Sequence, residues 1–400
     1  LAECIMIDAG ATTGGHRGIF AYSAPNGNGD LTINAIDTTG GDDGIFATIL
    51  NTANTGDLTI NAVITTGTRN DGIFANNLGT GALSITTTGT TTGGSNGIDA
   101  INYGTSLKIT AEDTTGTQGI SAKNSGTGAL SITTTGTTKG TTSGGIFAIM
   151  TNVASCGDLK INVANTEGGT YGINAKNYGT GALEITTTGT TTTTGTSSNG
   201  ISAFNSAAGT SLTINSATTT GSNLGIYAVN FGDSALSITT TGTTEGISSN
   251  GIFGYTSGTS LKITAEDTTG TQGIYARNNG TGALEITTTG TITGTNTTGI
   301  SANNYVASTG DLMINSVDTM GADTGMVVYN VGNGALSITT SGTTTGGDGD
   351  GIFAFNSVNT GALSITTSGT TTGNRYAIQA HNGGSGVMNI TATGITTGGP

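Results

Sequence analysis

Tryptophan is absent from these 400 residues, proline, cysteine and histidine occur only twice each, and just 8% of the side chains are charged. Ten Lys plus Arg, scattered without a cluster, stand against 24 Asp plus Glu, a net charge of -14. That balance excludes a protein working by neutralising nucleic-acid phosphates or anionic lipid. No apolar run approaches the roughly 20 residues that a membrane helix needs. No basic-then-apolar segment follows Leu1, so the chain reads as a processed product or an excised piece. His16 and His381 lie at opposite ends, which leaves no histidine-based dyad within one chain.

What is abundant is glycine, 71 residues of it, together with Thr, Ser, Asn and Ala. Such a bias suggests low complexity, but isoleucines and leucines recur in register, and a diluted charge argues against disorder. The pair Gly-Ile recurs at Gly18, Gly44, Gly72, Gly97, Gly119, Gly145, Gly172, Gly200, Gly225, Gly251, Gly273 and Gly299. It continues at Gly325 with Met326, at Gly351, and as Ala377-Ile378, with spacings of 22 to 28 residues. A second anchor, Leu-x-Ile, follows each one, from Leu31 to Leu363 and then Met388. Periods in this range mark solenoids. Residues 104–120 reappear letter for letter at 258–274, as expected of growth by duplication of whole coils.

Each period reads as three short extended pieces, "GIxAxN", "ALSITTT" or "DLTINAV", and "TTTG". The Thr and Ile content favours strand, Gly with Asn and Asp favours turns, and helix is unsupported. The expected fold is all-β: a right-handed parallel β-helix of about 15 coils, each of about 26 residues and three short strands, running as one domain over residues 1–400.

Alternate strand residues face opposite ways, so tolerance of polar residues identifies the outside. The second position of GIxAxN is Ile in fourteen of fifteen coils and the fourth is Ala in thirteen; both face the core. The third carries Phe20, Phe46, Phe74, Phe147, Tyr227, Phe253, Tyr275 and Phe353, but also Asp99, Asn174 and Gln379, which burial would penalise. It therefore faces outward. The fifth position also faces out and holds Tyr22, Phe204, Tyr255, Tyr329 and Phe355 beside Arg277 and His381. These two rows carry 13 of the 19 aromatics. The sixth position is Asn in eleven coils, read as a structural ladder satisfying a tight corner.

Other motifs have plain readings. "GDSAL" at 232–236 looks like a serine-hydrolase signature but fills the slot that elsewhere reads "GTGAL". Acid pairs occur at Asp42-Asp43, Asp348 with Asp350, Glu112-Asp113 and Glu266-Asp267, yet no groove-lining cluster with adjacent basic residues emerges, so an enzyme is not expected and no cofactor or metal is called for. "GGDGDGIFA" at 346–354 approaches the calcium nonapeptide but has Gly351 in place of the ligand Asp. Cys4 and Cys156 lie six coils apart, about 30 Å by the coil rise, beyond the roughly 7 Å between Cα atoms that a disulfide allows. A flat Thr row for ice binding is broken by Lys108, Lys160, Glu184, Lys262 and Glu285.

The run "GTGALSITTTGTTTGGSNGIDAINYGT" at 79–105 and its copies resemble the passenger domains of Gram-negative autotransporters, particularly the Bartonella-type inducible and angiogenic ones, over essentially the whole chain. The resemblance implies a signal peptide before and a translocator barrel after this segment. It also implies an extracellular factor, surface-bound or released, that engages host cells, in the angiogenic branch through an endothelial growth-factor receptor. No GDSG-type protease motif or RGD tripeptide is carried. The expected partner is thus a host-cell surface protein or extracellular matrix, with no nucleic acid and no transmembrane segment. A polysaccharide-acting β-helix enzyme, or a structural rod that self-associates, is the alternative. The expected contact residues are Tyr227, Phe253, Tyr255, Tyr275 and Arg277, then Tyr329, Phe353 and Phe355, and finally Phe20, Tyr22, Phe46 and Phe74, because aromatics and Arg anchor interfaces.

Overall fold

The computed structural model describes residues 4–357 and 361–399; all of its regular elements are β-strands. The chain forms two compact units, Leu1–Gly195 with Ala203–Gly209, and Thr196–Ser202 with Thr210–Pro400. Each is a parallel β-solenoid in which every strand pairs with its counterpart about 26 residues away.

In the first unit the Gly-Ile strands from Ile19–Ser23 to Tyr171–Asn177 stack in exact repeat register, Ile19 on Ile45 on Ile73 on Ile98. The Leu-x-Ile strands stack likewise, Leu31 on Leu58 on Leu83 on Leu107. In the second unit the same two ladders run from Ile226–Asn230 to Ile378–Asn382 and from Leu212–Gly221 to Met388–Ala392. The third extended piece follows a corner: in Leu31–Gly40 the in–out alternation breaks at Ile36 and Asp37, both exposed, before Thr38 points inward again. Where it is separate it pairs in the same sheet as the Leu-x-Ile strand, and in Leu31–Gly40 or Leu159–Gly168 the two are one continuous strand. Those coils still carry three extended pieces, because the pairing between coils resumes directly after the corner, Ala35 with Ala62 and then Asp37 with Ile64.

The core is the pair of inward rows that the alternation predicts. Ile45, Ala47, Leu58 and Ile60 are fully buried, as are their repeats in the interior coils of both units, while the end-coil counterparts Ile5, Met388 and Ile390 are exposed. Each buried Ile or Leu contributes roughly 1.5–3 kcal/mol. The glycine before the Ile is required by close approach, not by backbone sign. A Cβ at Gly44 would stand 2.5 Å from Thr65 Cγ2 and 2.6 Å from the Gly72 carbonyl oxygen. None of the described glycines has a positive φ.

The sixth-position asparagines point inward. Asn77 donates Nδ2 to Asn102 Oδ1 at 3.0 Å, and Asn102 to Asn124 at 2.9 Å. Each Oδ1 also accepts the N–H two residues on, as Gly79 donates to Asn77 at 3.0 Å. In the second unit Asn278, Asn304, Asn330, Asn356 and Asn382 form the same chain. Where the sixth residue is Ile49, buried Asn54 takes over the corner, accepting Gly56 N–H and donating to the Gly29 carbonyl. Where it is Met150, buried Ser155 donates to the carbonyls of Thr127 and Gly128.

Candidate recognition surface

The aromatic positions lie outside both cores, alternating with buried neighbours along each strand. Phe20 and Tyr22 are 52% and 51% exposed and Tyr329 is 37%; the other predicted contact residues are half-buried, since rings one coil apart cover one another. Four groups result.

In the first unit, Phe20 and Phe46 lie 5.4 Å apart between centroids, and Phe46 stacks on Phe74 at 4.7 Å. Tyr22 packs on Phe20 at 5.6 Å. Arg17, not among the expected contact residues, places its guanidinium 3.8 Å from the Phe46 centroid and 4.7 Å from that of Phe20. Asp43, one coil on, holds it through a 2.9 Å bond to Nε. Repeat register could have found this, because Arg17 and Asp43 each immediately precede a Gly-Ile pair.

In the second unit the expected cluster separates into two rows. Tyr227, Phe253 and Tyr275 form a continuous stack with centroids 5.1 and 5.4 Å apart. Tyr255 and Arg277 belong to a neighbouring polar-aromatic group. Arg277 lies 4.3 Å from the Tyr305 ring and 5.6 Å from that of Tyr255, and Nε donates to Asn279, which in turn donates to the Tyr255 hydroxyl. Phe231 packs edge-on to Tyr255 at 5.5 Å. Tyr305 and Phe231 escaped the sequence reading because they sit in corner loops just past the sixth position. Further along, Tyr329 touches Phe353 and Phe355, and Phe355 touches His381.

The charged groups have identifiable work. His16 is not isolated: its Nδ1 lies 2.8 Å from Asp42 Oδ2, so a histidine–carboxylate pair does exist, contrary to expectation. The separation of the two histidines does not bear on this pair, because the acid comes from the loop of the next coil. Arg69 bonds the other Asp42 oxygen at 3.2 Å, and hydrogen bonds from His16 and then Arg69 hold the Asp42 carboxyl below its usual range. Asp113 and Asp267 accept the backbone N–H of Thr137 and Thr291, and Asp350, fully buried, takes two bonds from Arg375 at 2.7 and 2.8 Å. Ser234 of "GDSAL" donates to Asp233. Cys4 and Cys156 are free and exposed. Among the described residues no group of three or more His, Cys, Asp or Glu is placed to hold a metal ion.

Asp71 is the exception among the acids. Its side chain is 7% exposed, and burial raises its pKa to about 6, helped by Asp99 and Asp43 and opposed by the bonds from Asn96. Burial likewise raises the Asp99 carboxyl, against a bond from Ser121. These acids border an open concavity of about 360 Å³ that also touches Phe46, Phe74 and Arg17.

The fold and this surface define a β-solenoid carrying outward aromatic rows. No family model, no curated protein and no solved structure matches the chain.

Proposed function

We propose that this solenoid is a recognition module, a secreted or surface-exposed bacterial passenger domain that binds a protein on host cells and acts by contact rather than catalysis. The observation that carries this reading is the outward aromatic rows, with guanidinium groups lying on their rings. The core does not need them: the Ile, Ala, Leu and Asn rows bury and satisfy themselves. Exposed aromatic and Arg side chains on a rigid sheet are the groups that anchor protein interfaces at low entropic cost. The resemblance to angiogenic autotransporter passengers supplies the partner class, an endothelial growth-factor receptor or adjoining matrix.

The test replaces Phe253, Tyr255 and Tyr275 together by Ser. The expected result is unchanged β-rich circular dichroism with at least a tenfold loss of binding to cultured endothelial cells. Undiminished binding by a folded variant would remove this surface from the account.

A further inference from the structure

We infer that Asp71, Asp99 and the free face of Phe74 form a binding pocket for a cationic side chain of the partner protein, best fitted by an arginine guanidinium. This deepens the recognition reading above and rests on it for the identity of the partner.

Phe46 and Phe74 are parallel within 17° at 4.7 Å, so one face of each ring is covered by the other. The far face of Phe46 carries Arg17 at 3.8 Å, and Asp43 neutralises that guanidinium. The far face of Phe74 looks toward the next coil, where the residue in register is Asp99 and not another ring. Asp71 stands to Phe74 as Asp43 stands to Phe46, three positions before it in the repeat. The stack therefore reads guanidinium, Phe46, Phe74, and then a place bordered by two carboxylates. The chain itself shows what such a place accepts.

Two further facts favour a cation there. Among the described residues no Lys, Arg or His forms an ion pair with Asp71 or Asp99: Arg17 goes to Asp43, Arg69 and His16 to Asp42. The other buried acids at the corresponding repeat position, Asp43 and Asp350, are paired with Arg17 and Arg375. The place is also open, since the concavity touching Phe74, Asp71 and Asp99 reaches Asn70, Ser95 and Asn96 at its rim. Cations over aromatic faces are attracted by the ring quadrupole, and a guanidinium adds planar hydrogen bonding to carboxylate. The net charge of -14 attracts cationic segments to the surface as a whole, and this pocket adds a ring face beside two acids.

The experiment titrates the full chain, labelled with ¹⁵N at its nine phenylalanines, with Nα-acetyl-arginine amide, using Nα-acetyl-glutamine amide as the neutral control and Nα-acetyl-lysine amide to compare ammonium with guanidinium. The Phe74 amide signal, assigned with Phe74→Leu, is expected to shift saturably with the arginine probe and not with the glutamine one. Asp99→Asn and Asp71→Asn should each weaken binding at least tenfold while the remote phenylalanine signals stay in place. Phe74→Leu, followed at the Phe46 signal, leaves both acids intact and should weaken it at least threefold. Affinity should rise between pH 5 and pH 7.5 as Asp71 ionises, with Asp99, Asp43 and Arg17 the charged groups around it. No saturable shift at Phe74, equal shifts with the glutamine probe, or full binding in both Asn variants would overturn the inference. Failure here with cell binding still lost on removing the aromatic rows sinks the pocket alone; arginine binding by a chain that does not bind cells sinks the recognition reading alone.

Discussion

Replacing Asp71 by Asn should stabilise the first unit at neutral pH and leave it almost unchanged in acid. Asp71 is buried beside two other carboxylates, and its pKa in the fold is raised from 3.8 to about 6. The folded state therefore holds the proton more tightly than the unfolded chain. The resulting stability is fully present below pH 3.8, falls as pH rises toward 6, and stays lost above it. At about 1.36 kcal/mol per pKa unit, the loss amounts to roughly 3 kcal/mol. Asparagine carries no charge and retains an acceptor for the Asn96 N–H that Asp71 Oδ1 now accepts at 2.9 Å. Because a solenoid gains stability coil by coil, the effect belongs to the local coils. Hydrogen exchange at the amides of Ile73–Asn77 is the suitable assay, at pH 4 and, after rate correction, pH 8. Protection in Asp71→Asn should exceed that of the native chain by up to about two orders of magnitude at pH 8 and by little at pH 4. An equal difference at both pH values, or a variant less protected at pH 8, would refute the account of Asp71.

The remaining predictions concern the core. Asn102→Ala removes the acceptor for Asn77 Nδ2 and for the Gly104 N–H and should cost about 2–3 kcal/mol in urea denaturation, whereas Asn279→Ala, at a half-buried position outside the core, should cost less. Gly119→Ala places a Cβ 2.5 Å from the Gly145 carbonyl oxygen and 2.7 Å from Thr138 Cγ2, and should lower stability by about 2 kcal/mol or more. Gly15→Ala, with open space around it, should change stability by less than about 0.5 kcal/mol. Thr138 is fully buried with its hydroxyl unpaired in the protein, so the near-isosteric Thr138→Val should raise the melting temperature, by the equivalent of about 1 kcal/mol. A fall would show that the hydroxyl is hydrogen-bonded through a buried water.

The coil architecture was legible because two signals agree along the whole chain: the 22–28-residue period, and the alternation that puts Ile45 and Ala47 in and Phe46 out. The asparagine ladder was legible for the same reason. The close approach at the Gly-Ile junctions was not legible, since such a junction looks alike in sequence whether backbone sign or the approach of Thr65 demands it. Contacts made by loops were invisible. His16 reaching Asp42 and Tyr305 covering Arg277 depend on how corner segments of unequal length lie across the next coil, which periodicity does not encode. Asn54 and Ser155, filling corners where Ile49 and Met150 replace asparagine, were missed because they stand outside the repeat's sixth position.

The central claim is that this surface recognises a protein on host cells, and the most direct measurement is binding of the purified, fluorescently labelled chain to cultured endothelial and epithelial cells, with receptor phosphorylation followed in parallel. The account predicts saturable binding to endothelial cells that unlabelled chain displaces, accompanied by receptor phosphorylation. An intact, β-rich chain that shows no saturable binding to either cell type would contradict it.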